Sequence, residues 1–254
     1  MFDQMKDLEN NKTDLLAAIL KGAVGFFPFV GQALAEAISI YLPKQRTDRL
    51  VRFYQELASR VSYIEEVVLM SRLSNPERLE ILTEGALNAS RAVSNDRISL
   101  IVNMVANGIS NDQIDFSSEI HFLRILSELT DVEVIILRSY LFKGIDDYDI
   151  DFKNKYKGIY SYPAIFASLS QEEREPLENQ TAIQISYRVH LTTLGLLYQT
   201  NQAEINRSTI GPPRPIQAKY AITYLGKILL ERIGLVTDED KSHPSYRHIA
   251  PQHI

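Results

Sequence analysis

Apolar residues recur at three- and four-residue intervals over most of this chain, and that spacing predicts a mainly helical protein. From Gln45 to Met70 the set Leu50, Phe53, Tyr54, Leu57, Val61, Ile64 and Val68 forms one long stripe. Arg46, Arg49, Arg52, Glu56 and Arg60 occupy the other side. Asn75-Pro76 reads as a helix start, with proline at the first helical position, and Leu79, Leu82, Ala86 and Ala89 follow in phase. Ser94 or Asn95 caps a helix through Ile98, Ile101, Val102 and Val105, which Gly108 is expected to stop. A further helix spans roughly Ser117 to Ser127. The next opens on Thr130-Asp-Val-Glu133, where the threonine oxygen meets the third helical amide and Glu133 reaches back.

Before these helices, a pattern from Thr13 to Lys21 runs into Gly22-Ala-Val-Gly-Phe-Phe-Pro-Phe-Val-Gly31, and helical spacing resumes from Gln32 to Leu42. Pro28 and Gly31 break the run, so two helices are expected to meet at a glycine-rich corner. Residues 144–180 lose the periodicity and read as an irregular insertion with a helical turn after Ser170. Ile183, Tyr187, Leu191 and Leu194 then form a stripe that ends at Gly195. A strand over Leu196–Thr200, a turn-rich excursion with Gly211-Pro-Pro-Arg-Pro215, a second strand over Tyr220–Thr223 and a helix ending at Gly234 complete the series. That order is the order of a winged helix-turn-helix. The expected fold is therefore mainly α, an N-terminal helical bundle followed by a C-terminal winged-helix-like domain with a small β-hairpin wing. The expected domains are residues 1–112 and 113–254, with a flexible tail from about 236.

Composition narrows the function classes. The chain has 254 residues, 45% of them hydrophobic, and a net charge of −5, so any polyanion contact has to be a local patch. It has no cysteine, which excludes disulfides, thiolate metal sites and thiol catalysis. The acidic, polar stretch from Met1 to Asn11 is unlike a secretory signal. A cytoplasmic location is the expectation, with peripheral contact at the inner membrane as its variant.

Two surfaces stand out as contact candidates. Phe26, Phe27 and Phe29 lie in an uncharged run of about 14 residues, short of the ~20 that span a bilayer. They fit either a buried hairpin or conditional membrane or partner contact, with Arg46 and Arg49 on the basic helix beside them. Arg188, Arg207, Arg214 and Lys219 sit in a locally basic segment and are the candidates for DNA phosphates on the helix and wing. A protein-contact role for the same module is the competing reading.

Catalytic and metal chemistry finds no support in the spacing. His243, His248 and His253 lie five apart in a proline-bearing tail, not at the spacing of helical metal ligands. His121 and His190 fall within helices as packed or capping residues. Asp146, Asp147, Asp149 and Asp151 lack the central glycine and terminal glutamate of a calcium loop. No phosphate-binding or dinucleotide glycine motif is present. No cofactor, metal or small-molecule substrate is expected; a protein partner or self-association is.

His121-Phe-Leu-Arg-Ile-Leu-Ser-Glu-Leu-Thr-Asp-Val-Glu133, the Leu191–Leu197 element and Tyr220-Ala-Ile-Thr-Tyr-Leu-Gly226 follow the Gly/Pro-bearing apolar stretch and the helical middle in order. The arrangement from about Leu50 to Ile233 resembles the bacterial abortive-infection alpha family. The resemblance implies a role in protection against phage and assigns no chemistry to individual residues; with no catalytic motif in the chain, the expected function is non-enzymatic, through protein or membrane interactions. A DNA-binding winged-helix regulator is the alternative.

Overall fold

The computed structural model describes residues 44–111, 115–142, 147–163, 168–200 and 219–246. Phe26, Phe27, Phe29, Arg207 and Arg214, with the segments expected to form the hairpin and the wing, lie outside the described residues, as do His248 and His253. The described chain is mainly helical, with one small two-stranded antiparallel sheet, and divides into two compact units.

The first unit holds α1 (Lys44–Val61), α2 (Glu66–Leu73), α3 (Pro76–Arg91), α4 (Asn95–Ser110) and α5 (Phe116–Glu128). Leu50, Phe53, Tyr54, Leu57 and Val61 of α1 are all buried, as their spacing predicts. The stripe expected to continue to Met70 does not. Ile64 N–H turns back to the Val61 carbonyl, Ser62 Oγ bonds the Ser59 carbonyl, and the chain restarts as α2 with Val68 exposed. A hydroxyl that bonds a nearby carbonyl competes with the helix, and Ser62 lets the turn win at its end. Asn75 and Ser94 cap α3 and α4 through their side-chain oxygens. Gly108 does not stop α4: it lies inside the helix, where a Cβ would come 3.0 Å from Ile81. The carbonyl end of α4 is satisfied by Arg72 and Arg78, which bond Ser110 and Ile109 respectively.

The expected boundary at 112 differs from the observed division after Ser127. Asn88 donates to the Leu123 carbonyl and Arg97 to that of Leu126, both on α5, while Leu123 and Leu126 enter the core. The segment Arg232–Gly234 is grouped with this unit: Asn107 and Asn103 donate to the Arg232 and Ile233 carbonyls. Glu119, 1% exposed, faces Arg232 at 2.8 Å. Burial raises the Glu119 pKa above the ordinary 4.5, Arg232 opposes that and Asp115 adds to it. A carboxyl whose native pKa is raised binds its proton more readily folded than unfolded. Its contribution to stability is therefore full below 4.5 and is lost as pH rises through the native pKa. Glu119→Gln should remove that loss, so its stability relative to the native protein should climb between pH 4.5 and neutrality. Urea midpoints across that range would check it; a constant difference would show that Glu119 does not titrate there.

The second unit holds α6 (Asp131–Arg138), a 3-10 turn (Asp147–Asp149), α7 (Ile150–Tyr160), α8 (Gln171–Thr193), β1 (Leu197–Thr200), β2 (Lys219–Ile222), most of α9 (Tyr224–Arg232) and α10 (Asp238–Ser242). The expected irregular insertion at 144–180 contains instead all of α7 and the first ten residues of α8. α7 has no fully buried residue and α8 none before Gln184. Phe152, Tyr156, Ile159 and Tyr160 share one side of α7, but they are only half-buried among charged neighbours and mark a weak face. The tail expected to be flexible from 236 is packed as far as Tyr246. Asp240 forms a capping box with Thr237 and accepts from Tyr148, and Tyr246, 4% exposed, pairs with Phe142 in an antiparallel bridge. Tyr148 and His243 stack at 3.9 Å beside it.

Gly195, at φ +71°, ends α8 in the left-handed region and turns the chain into β1. β1 and β2 pair antiparallel with Leu197 opposite Ile222 and Thr200 opposite Lys219.

Candidate protein-contact face

Helix α8 has two unlike sides. It starts with a capping box in which Ser170 Oγ accepts from the Glu173 amide and Glu173 bonds back. Inward it presents Gln184, Arg188 and Leu191; of the Ile183–Tyr187–Leu191–Leu194 stripe expected from apolar spacing, Leu191 is buried while Ile183 is exposed and Tyr187 and Leu194 are half-buried. Arg188 is 2% exposed. Its Nε donates to Tyr140 Oη at 2.8 Å, Nη1 to the Gln184 carbonyl and Oε1, both at 2.8 Å, and Nη2 to the Tyr160 carbonyl. The Tyr162 ring lies 4.4 Å from the guanidinium carbon. Burial raises the Tyr162 pKa and Arg188 partly offsets it, while Tyr140 and Tyr220 push the same way as burial. Gln184 Nε2 donates to the Ile159 carbonyl, which ties the end of α7 to α8.

The expectation that Arg188 meets DNA phosphates is corrected by this geometry. Its charge is spent on internal carbonyls and rings, and the planar fork of the guanidinium explains why an arginine fills the place. Other cations of the locally basic segment are also engaged. Lys227 is buried with Nζ 4.2 Å from the Tyr246 ring, and Arg232 faces Glu119. Lys219 is the first residue of β2. In the first unit, Arg46 is exposed, whereas Arg49 is half-buried with Nη1 3.5 Å from the Ser90 carbonyl.

Outward, α8 presents Glu175, Glu178, Ala182, Ile185 and Val189, all exposed and spaced alternately by three and four residues. Ile185 and Val189 are 43% and 51% exposed, and Ile183 beside them is 54%. This face was not evident from the sequence, because the spacing that marks a buried stripe also fits an exposed one.

Near the end of α8, His190 Nδ1 lies 2.6 Å from Glu133 Oε1. Glu133 is buried, and its Oε2 accepts from the Thr130 amide at 2.8 Å and the Thr130 hydroxyl at 2.9 Å. Glu133 thus divides its two oxygens between the Thr130 cap and the His190 ring. The imidazole side chain is 39% exposed. The partners are 57 residues apart, so only the capping box was legible beforehand. The pair orients an imidazole and joins α8 to the start of α6.

Among the described residues, no group of three or more His, Cys, Asp or Glu side chains is arranged to hold a metal ion, and no helix is long and apolar enough to cross a membrane. In comparison with known proteins, no family model matches the chain, no curated protein matches it, and no solved structure matches its fold.

Proposed function

We propose that this chain is a non-enzymatic anti-phage protein of the abortive-infection type, acting through protein contact made by a winged-helix-like second unit. The observation that carries the reading is the character of α8: Arg188 is internal, and the side left exposed is acidic and apolar. Phosphate-binding surfaces need the opposite charge. Glu133, His190, Leu196 and Gly226 support it further. They come from or adjoin the three stretches of the resemblance, and they meet around the end of α8, through the Glu133–His190 pair and the approach of Gly226 to the Leu196 carbonyl. The helix, strand, strand, helix order agrees with a winged helix.

Phage plating on bacteria that make the chain should fall relative to an empty-vector control, and Ile185→Asp should restore it by at least ~10-fold. Equal plating with and without the wild-type chain would remove the reading. A salt-dependent gel shift abolished by Arg207→Ala and Arg214→Ala would favour the DNA-binding regulator instead.

A further inference from the structure

The outward stripe of α8 carries information about what covers it. From Glu175 to Val189 it runs roughly 21 Å at 1.5 Å per residue, the length of about four turns. The alternating three- and four-residue spacing is that of a seam into which a second helix packs its side chains. The two ends differ in chemistry: Glu175 and Glu178 come first, then Ala182, Ile185 and Val189. The five stripe positions, Glu175, Glu178, Ala182, Ile185 and Val189, include no lysine or arginine. Arg174 beside it is turned back, with Nη2 donating to the Leu169 carbonyl at 3.2 Å.

We infer that this seam docks an amphipathic α-helix of another protein, with aliphatic residues at three- and four-residue spacing and lysine or arginine at the end that meets Glu175 and Glu178. The inference rests on the protein-contact reading of the chain and names the partner's chemistry. A second copy is the poorer occupant by charge. Paired parallel, two α8 helices bring their glutamates face to face; paired antiparallel, they leave those glutamates without cations. A nucleic acid is excluded from this face by the same carboxylates. A basic helix satisfies both halves at once, because its apolar side covers Ile185 and Val189 while its cations select orientation.

The Ile185–Val189 half of the seam is anchored from behind. Gln184 and Arg188 tie the other side of the helix to Ile159, Tyr160 and Tyr140. His190 and Glu133 pin its end. A partner therefore meets the apolar half of the surface pre-formed.

The probe is a fluorescent 21-residue helical peptide with leucine at the a and d positions of three heptads and lysine at the remaining charged positions. Its control twin carries glutamate in place of every lysine. Against the full chain, anisotropy titration should show the lysine peptide binding at least ~10-fold more tightly than the glutamate twin. Ile185→Asp should weaken the lysine peptide by at least ~10-fold, and the double variant Glu175→Lys/Glu178→Lys should reverse the preference between twins. All three positions are exposed, and far-UV circular dichroism would verify that the variants keep their helix content. Equal affinity for the twins, or no binding, overturns the inference. So does a wild-type dimer in light scattering that Ile185→Asp dissociates, since that outcome puts a second copy on the face. A chain that lowers phage plating yet ignores both peptides sinks this inference alone. One that binds the lysine peptide selectively without lowering plating sinks the anti-phage reading alone.

Discussion

Arg188→Ala is expected to destabilise the second unit by about 3–4 kcal/mol, measured as the shift in urea unfolding followed by far-UV circular dichroism and tyrosine fluorescence. The guanidinium is the shared donor of a buried polar group. Removing it leaves Gln184 Oε1, the Tyr160 carbonyl and Tyr140 Oη without that donor, and opens a void against the Tyr162 ring. Each stranded buried group costs about 1–3 kcal/mol, with partial relief from relaxation and entering water. Arg188→Lys should recover little, because an ammonium on a flexible stem cannot reproduce the fork that reaches Tyr140, Gln184 and Tyr160 together. A loss below ~1 kcal/mol in the alanine variant would show that the network is dispensable. Unchanged stability combined with weakened DNA binding would return Arg188 to the surface role that its sequence context suggests.

The second large effect belongs to Gly226, on the first turn of α9. An added Cβ would stand 2.5 Å from the Leu196 carbonyl oxygen, 3.0 Å from Ile222 Cγ1 and 3.3 Å from Leu137 Cδ1. The Leu196 carbonyl cannot move freely, because it accepts from the Thr223 amide at 3.0 Å and the Thr223 hydroxyl at 3.1 Å. Gly226→Ala should therefore cost about 3 kcal/mol through overpacking, even though alanine is the better helix former by ~1 kcal/mol. Gly158 on α7 is the control. Nothing lies within 4 Å of its added Cβ, so Gly158→Ala should be neutral or stabilise by up to ~1 kcal/mol. If both substitutions shift the urea midpoint in the same direction, close packing at Gly226 is not what sets its effect.

That Gly195 closes a helix and Thr130-Asp-Val-Glu133 opens one follows from local chemistry, and both are observed. The inward side of α8 could not be found that way. Apolar spacing favoured Ile183 and Tyr187, but the interior took Gln184 and Arg188, because Tyr140, Tyr160 and Ile159 supply acceptors there. A polar side chain can be buried wherever distant groups satisfy it, and those groups are invisible to a periodicity argument. Helix α7 escaped for the complementary reason, having no fully buried side chain to mark its face.

The N-terminal and C-terminal borders of these elements divide along the same line. The Ser62 turn that splits α1 from α2 interrupts a stripe whose apolar spacing is unbroken, so spacing alone joined them. The tail after Val236 is polar and proline-bearing. It is nonetheless held as far as Tyr246, because Arg138, Tyr148 and Phe142 receive it from elsewhere in the unit.

By itself, the sequence determined the helical class, the caps, the glycine turn after α8, the strand pair and the absence of thiol chemistry. These depend on side chains acting on their own or neighbouring backbone, over distances of a few residues. Only the tertiary structure decided which cations are free. It took Arg188, Lys227 and Arg232 from the apparent basic segment into internal contacts, and it left Glu175, Glu178, Ile185 and Val189 outside. The physical reason is that a charge is placed by its partners, and each of these three has one distant along the chain: Tyr140, Tyr246 and Glu119.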